Sequence, residues 1–100
     1  MRFTLALFLV LIAPAALAGE RTFRQGADVL RFWDVPCPFA SVLRFIPEDQ
    51  RQQYQKAEGQ VAGQRYFACW LDVGDDILHL YWEDGDQGMV PEQALRDEGA

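Results

Sequence analysis

The residues with the clearest capacity for chemistry are the acids of the stretch EDGDQG, at positions 83–88. Carboxylates spaced this closely are the ligands of calcium loops and also act as acid and base pairs in hydrolases. A loop of the EF-hand type requires oxygen ligands at its first, third and fifth positions, a glycine at the sixth and a glutamate at the twelfth. When the loop begins at Asp84, the fifth, sixth and twelfth positions hold Gly88, Met89 and Leu95. This mismatch favours a tight turn, for which Asp-Gly is a strong signal.

The single histidine, His79, does not complete a catalytic arrangement in the sequence. We predict it in the middle of a strand, with Tyr81 and Glu83 on the same face. General acid–base catalysis requires a nucleophile or a substrate proton within hydrogen-bond reach, and the only serine, Ser41, lies in another predicted element. We therefore predict no catalytic residues and no enzyme, and we expect neither a cofactor nor a dedicated metal site.

Residues 1–18, MRFTLALFLVLIAPAALA, have the pattern of a secretory signal peptide. Arg2 precedes an apolar run, Pro14 breaks it, and small residues at positions 16 and 18 precede the predicted cleavage site at Gly19. The run is shorter than the roughly 20 apolar residues of a membrane-spanning helix. We expect the mature chain to be residues 19–100, a single small α+β domain that is periplasmic or secreted and does not associate with the membrane.

Cys37 and Cys69 are the only cysteines, and both lie in the predicted mature chain. In an oxidising compartment such a pair predicts one disulfide, since two cysteines allow only one intramolecular pairing. A metal site would need further soft ligands nearby, and a redox pair is normally a close C-x-x-C motif. Closing a loop of this length stabilises a domain by about 3 to 4 kcal/mol on a chain-entropy estimate, which is a large share of the stability of a small domain.

The predicted mature chain is acidic, with eight cations against 15 acids and a formal charge of −7. This charge argues against nucleic acid and anionic lipid as partners. No lysine or arginine occurs between Arg65 and Arg96. Seven acids fall in that interval: Asp72, Asp75, Asp76, Glu83, Asp84, Asp86 and Glu92. The C-terminal third is therefore expected to carry an acidic surface.

The first half of the mature chain predicts a hairpin, a helical turn and a helix. Residues 22–35 alternate, with Leu30 and Phe32 on one face, and Gly26 offers a turn before them. Apolar residues then follow at positions 39, 42, 43 and 46, which is helical spacing. Pro47 begins an expected amphipathic helix over residues 47–63, whose apolar positions are 54, 57 and 61.

The segment RYFACWLDVGDDILHLYWED, residues 65–84, predicts a second β-hairpin around Gly74 and Asp75. With that two-residue turn, Leu71 opposes Leu78, and Phe67 and its alternate neighbours face the core. The other face is aromatic and is either covered by the N-terminal strands or available for binding. The candidate partner-binding residues are Trp70, His79, Tyr81, Glu83, Asp84 and Asp86.

Several motifs together resemble those of small uncharacterised exported, periplasmic proteins of proteobacteria and their prophages. The shared pieces are DVPC at 34–37, VLRFIPED at 42–49, AEG at 57–59, YFACW at 66–70 and WEDGDQGMVP at 82–91. The resemblance covers residues 30–91, and its most specific parts are the C-W pair and the turn at 83–88. It implies the disulfide and a shared compact fold, and it implies no activity. The chain departs from it at the C-terminus, EQALRDEGA, where such proteins often end in an aromatic residue.

These observations predict an α+β fold, namely a small antiparallel sheet of two hairpins packed on one or two short helices and stapled by one disulfide. The first functional hypothesis is an exported interaction protein whose acidic, aromatic surface binds a protein of the cell envelope. A basic muralytic enzyme is one conceivable target, so inhibition is the narrow form of this hypothesis. The alternative is a small calcium-dependent or hydrolytic protein that uses Glu83, Asp84 and Asp86.

Overall fold

The computed structural model describes residues 20–98, which form one antiparallel sheet with short helical segments. The seven strands are β1 (Glu20–Gln25), β2 (Asp28–Pro36), β3 (Gln55–Val61), β4 (Gln64–Asp72), β5 (Ile77–Trp82), β6 (Gln87–Pro91) and β7 (Arg96–Glu98). The helical segments are α1 (Ala40–Leu43) and two 3₁₀ helices, Glu48–Gln53 and Glu92–Ala94. The predicted signal peptide lies outside the described residues. Within residues 20–98, no helix is long and apolar enough to cross a membrane.

The sheet curls because a short connection joins its two opposite edges. The strand order is β6-β5-β4-β3-β2-β1-β7, so β1 to β6 form a meander and β7 returns to pair with β1. In a flat sheet β6 and β7 would lie six strand spacings apart, which is about 29 Å. The four residues 92–95 that join them span at most about 18 Å when extended. The sheet therefore bends into a partly closed barrel with a concave inner face and a convex outer face.

The inner face carries a core that connects strands across the whole sheet. Its buried members are Phe32, Ala57, Ala68, Trp70, Leu78, Leu80, Val90 and Leu95. Phe23, Leu30 and Trp82 are partly buried and pack against them. The inner residues alternate with outward-facing ones along each strand, as the pleat of a β-strand dictates.

The segment between β2 and β3, residues 37–54, forms a second layer on the outer face of β4 and β5. Its buried side chains are Cys37, Val42, Ile46 and Tyr54, and they cluster with Cys69 of β4. Phe67, Leu71 and Tyr81 of the sheet pack against this outer core. The helical turn predicted from positions 39 to 46 is confirmed, since α1 directs Val42 to the sheet.

The predicted disulfide is confirmed and fastens this outer layer. Cys37 is bonded to Cys69, with their Cα atoms 5.6 Å apart. Backbone pairing supports the same junction, because the Cys37 N–H donates to the carbonyl oxygen of Tyr54 at 3.1 Å. Both ends of the segment between β2 and β3 are thereby tied to each other and, through Cys69, to the middle of β4.

The N-terminal hairpin is confirmed, whereas the helix expected over residues 47–63 is wrong. Only Glu48–Gln53 is helical there, as a 3₁₀ helix, and β3 follows it. The spacing of positions 54, 57 and 61 fits a helix, but positions 57, 59 and 61 fit a strand equally well. Gly59 lies in β3, where the Trp82 ring packs against it. The position requires glycine because a Cβ would lie 2.7 Å from that ring. The antiparallel sheet is thus more extensive than two hairpins, and the helices cover only part of its outer face.

The C-terminal hairpin is confirmed, but the predicted pairing is wrong by one residue. Leu78 pairs with Asp72 rather than with Leu71. The turn comprises residues 73–76, and its two aspartates adopt positive φ angles of 57° and 61°. A shift of one residue exchanges the two faces of a strand. Trp70 consequently lies in the inner core and not on an exposed outer face.

Truncating Trp70 should destabilise the protein more than truncating Phe67. Trp70 is 3% exposed, meets the Phe32 ring edge to face at 5.8 Å, and donates its Nε1–H to the carbonyl oxygen of Trp33 at 3.0 Å. Trp70→Ala should lower the free energy of unfolding by about 3 to 5 kcal/mol. Phe67→Ala, at a half-buried site, is the control with the smaller loss. Urea titrations followed by circular dichroism measure both, and a larger loss in Phe67→Ala would contradict this assignment of the faces.

Adding a methyl group at Gly59 should destabilise the protein by about 1 to 3 kcal/mol, the usual cost of overpacking. The Trp82 ring and Leu30 fill the space that a Cβ would occupy, at 2.7 and 3.0 Å. Gly88 is a matched control in another strand, because a Cβ there has its nearest neighbour at 3.7 Å. We expect Gly88→Ala to leave the free energy of unfolding nearly unchanged. Equal losses for the two variants would show that Trp82 does not pack on β3.

Candidate functional site

The acidic stretch forms the turn between β5 and β6. Trp82 N–H donates to the carbonyl oxygen of Asp86 at 2.8 Å, and Gly85 N–H donates to that of Trp82 at 2.9 Å. Gly85 adopts a φ of 91°, whereas Gly88 belongs to β6 and has no positive φ. The Phe45 ring of the outer layer lies beside Gly85, where a Cβ would meet it at 3.1 Å. The backbone and Phe45 therefore hold the turn in place.

Two carboxylates of the turn accept hydrogen bonds from backbone amides. Glu83 Oε1 accepts from the N–H of Phe67 at 2.7 Å, which ties the turn to β4. Asp84 Oδ1 accepts from the N–H of Asp86 at 2.9 Å. Each of these bonds uses one oxygen, so the second oxygen of each carboxylate can accept from a ligand. Glu83 is half-buried, and Asp84 and Asp86 are exposed.

The turn borders a cleft of about 300 Å³. The lining residues are Val61, Tyr66, Trp82, Glu83, Asp84 and Asp86. Val61 and Tyr66 flank the tip of the β3–β4 hairpin, and Tyr66 is 39% exposed. Aromatic faces attract cations through their quadrupole, and carboxylates form charge-assisted hydrogen bonds with ammonium and guanidinium groups. The cleft is therefore chemically suited to a cationic side chain.

His79 and Tyr81 lie outside this cleft, in an aromatic cluster under the outer layer. The His79 ring is 2.9 Å from the Tyr54 hydroxyl through Nδ1 and 2.9 Å from Gln87 Oε1 through Nε2. Because the Gln87 Oε1 atom only accepts, the ring tautomer that satisfies both contacts carries its proton on Nε2 and accepts from Tyr54 at Nδ1. The Tyr81 ring meets that of His79 edge to face at 5.0 Å. Nδ1 of His79 thus links β5 to the outer layer through Tyr54, and Nε2 links β5 to β6 through Gln87.

The structure divides the candidate residues from the sequence into three places. Glu83, Asp84 and Asp86 come together at the cleft, His79 and Tyr81 lie in the outer aromatic cluster, and Trp70 is in the inner core. Tyr66 and Trp82, which share the cleft, were missed as a pair because the shifted register placed them on opposite faces. Asp75 and Asp76 were the signal that could have indicated the correct register. Because aspartate tolerates positive φ, these residues allow a four-residue turn in place of the two-residue turn that was predicted.

A larger groove of about 610 Å³ lies on the outer face of β2, β3 and β4. Its cations are each engaged by a neighbour: Arg31 by Glu20 at 2.8 Å, Arg65 by Glu58 at 3.2 Å, and Lys56 above the Trp33 ring at 4.5 Å. The charges of this groove are therefore largely balanced within the protein, in contrast to the acidic rim of the cleft.

In the part of the chain that the structure describes, no group of three or more His, Cys, Asp or Glu side chains is placed to hold a metal ion. Comparisons with protein-family models, curated proteins and solved structures find no match.

Alkaline pH should destabilise the protein through Tyr54. Burial raises the pKa of the Tyr54 hydroxyl, and the neighbouring Tyr81 raises it further. A raised pKa in the folded state contributes stability that is complete below the unfolded-state pKa of about 10 and is lost as the pH rises toward the folded-state value. The free energy of unfolding should therefore fall above about pH 10, and less steeply in Tyr54→Phe.

Denaturant titrations across this pH range measure the effect. At neutral pH, Tyr54→Phe should lose about 1 kcal/mol with the hydrogen bond to His79. Parallel pH profiles for wild type and Tyr54→Phe would contradict the role assigned to burial.

Proposed function

We propose that this protein is an exported, disulfide-stabilised binding protein whose acidic cleft receives a basic side chain of another envelope protein. The observation that carries the proposal is the meeting of Tyr66 and Trp82 with three carboxylates in one cleft. An aromatic wall and an acidic rim together favour a lysine or arginine side chain over a neutral or anionic one.

Two observations support an exported location. The Cys37–Cys69 disulfide indicates an oxidising environment. Residues 1–18 have the pattern of a signal peptide. We infer that the protein acts in the periplasm or outside the cell, as do the proteobacterial and prophage proteins that its motifs resemble.

The charge distribution supports a basic partner. Between Arg65 and Arg96 the chain has no lysine or arginine, so all seven formally charged residues of this interval, which contains the turn, are acidic. A field of one sign accelerates encounter with a partner of the opposite sign. Basic muralytic enzymes are one class with this charge, and inhibition of such an enzyme is the narrow form of the proposal.

Binding is preferred to catalysis because Asp84 and Asp86 are exposed. Paired carboxylates act as acid and base when their environments differ strongly, as inside a closed site. The alternative function, a calcium-dependent or hydrolytic protein that uses Glu83, Asp84 and Asp86, makes a distinct prediction for thermal melts. In that case calcium raises the melting temperature of the wild type, and the rise disappears in Asp84→Asn and Asp86→Asn.

Neutralising the rim should weaken binding without unfolding the protein. We expect the double variant Asp84→Asn with Asp86→Asn to bind a lysozyme, as a basic muralytic probe, several-fold more weakly than the wild type does. The amide oxygen of the first variant side chain can still accept from the N–H of residue 86, so the free energy of unfolding should change by less than about 0.5 kcal/mol. Added salt should weaken wild-type binding, since exposed charges are screened over about 8 to 10 Å.

The matched control is Asp49→Asn, which removes an exposed acid from the 3₁₀ helix Glu48–Gln53. Calorimetric titration of each variant with the probe, at low and at high salt, measures the difference. If the control and the double variant lost the same affinity for the probe, net charge alone would explain the effect. That result would contradict a role for the cleft. A calcium-dependent rise of several degrees in the wild type alone would favour the alternative function.

A further inference from the structure

Strand β6 is an open edge of the sheet. Its strand partner in the described part of the chain is β5 alone. Strand β1 is too short to cover its other side. In the pairing of β1 with β7, Glu20 lies opposite Glu98 and Thr22 opposite Arg96. If that register continued, Gln25 at the end of β1 would lie level with residue 93, so β6 extends beyond the end of β1.

Hydrogen bonds at both ends of β6 determine which of its backbone groups face this open side. Trp82 N–H donates to the carbonyl oxygen of Asp86, and Glu92 N–H donates to that of Asp76, each at 2.8 Å. In an antiparallel pair, successive residues alternate between bonding to the partner strand and pointing away from it. Positions 86, 88, 90 and 92 therefore bond toward β5, and positions 87, 89 and 91 point to the open side.

The open side presents the N–H and C=O groups of Gln87 and Met89. Pro91 has no N–H, so the row of donors ends there. Met89 is 68% exposed and lies next to His79 on the outer face. Natural edge strands are commonly protected by charged side chains, and the sequence of β6, QGMVP, contains none. This edge therefore combines unpaired backbone groups with an exposed apolar side chain.

The acidic residues near the edge favour a basic segment over a second copy of this chain as its occupant. Asp84 and Asp86 precede β6, and Asp75 and Asp76 lie beside its far end, across from Glu92. A second copy of this chain would bring the same acidic charges together, and like charges oppose such pairing. A segment that carries cations meets complementary charge at both ends of the strand.

We propose that β6 receives an extended, basic segment of the partner protein as an added antiparallel strand. Backbone hydrogen bonds to Gln87 and Met89 provide the pairing, as in other cases of strand addition to a sheet edge. Alternate side chains of the segment contact Met89 on the outer face, and the others point toward Asp86 and the cleft. This inference rests on the proposed function and adds to it the conformation of the partner.

A designed peptide of alternating lysine and valine, Lys-Val-Lys-Val-Lys-Val-Lys, tests the inference. Its valines, when placed opposite Gln87 and Met89, supply the hydrogen-bonding groups. The matched control peptide has the same sequence with N-methylated valines, which keeps the charge and removes the donors. Amide NMR of the full protein measures affinity and the hydrogen-exchange protection of the Gln87 and Met89 amides. We expect protection of both amides by the first peptide and binding about fivefold weaker or more for the methylated one.

Protein variants supply the second arm of the test. Met89→Pro removes an outward N–H while the bonds of positions 88 and 90 to β5 remain, and Met89→Ala keeps that N–H. The unmethylated peptide should bind Met89→Pro about fivefold more weakly than Met89→Ala. Equal affinity for the two peptides in the wild type would overturn the inference even if Met89→Pro failed to fold. Protection of Gln87 and Met89 that rises with protein concentration alone would also overturn it, by showing a second copy at the edge.

The outcome separates this inference from the proposed function. If both peptides bind equally and the Asp84→Asn with Asp86→Asn variant loses both, recognition by the acidic cleft stands and strand addition is wrong. If the unmethylated peptide protects the β6 amides equally in the wild type and in that variant, strand addition stands and the acidic cleft is not the determinant.

Discussion

Burial of strand β4 on both of its faces is the constraint on which the rest of the structure depends. Ala68 and Trp70 point into the inner core, and Cys69 between them points into the outer one. A strand buried on two sides requires two layers around it. The curl of the sheet provides the inner layer, and the segment between β2 and β3 provides the outer one. The disulfide from Cys69 to Cys37 is then the covalent link between the sheet and its outer layer. Such a link matters in a small domain, because a small domain buries less of its surface and has a less stable core.

The same strand also positions the cleft. Backbone N–H of Phe67 on β4 holds the Glu83 carboxylate, and Tyr66 beside it provides an aromatic wall. From the outer layer, Phe45 packs on Gly85 in the middle of the turn. The acidic turn is therefore braced by both layers, although its aspartates are exposed. Groups that are fixed before binding lose less conformational entropy when a ligand arrives, which favours affinity.

Local signals in the sequence were sufficient for the N-terminal hairpin, the disulfide and the turn at 83–88. They were insufficient where both faces of a strand are apolar, because alternation then no longer identifies the inner face. In β4 the inner face was decided by the length of the turn at 73–76, where two aspartates adopt positive φ. The register also determines which residues line the cleft. The sequence alone therefore could not show that Tyr66 and Trp82 share it with the acids of the turn. Gly59 lies within the helix expected over residues 47–63, whereas in the structure it makes room for Trp82 in a strand.

Closure of the barrel and exposure of the β6 edge have one geometric cause. The last part of the chain pairs first with β5, as β6, and then with β1, as β7. It changes partner within residues 92–95, where Leu95 enters the inner core and Glu92 lies 3.4 Å from Arg21 of β1. A C-terminal segment that pairs with two edges in succession cannot cover either edge along its whole length. One half of it closes the barrel, and the other half is left open beside the acidic turn. Closure beside Arg21 and an accessible edge at Met89 are thus two results of the same change of partner.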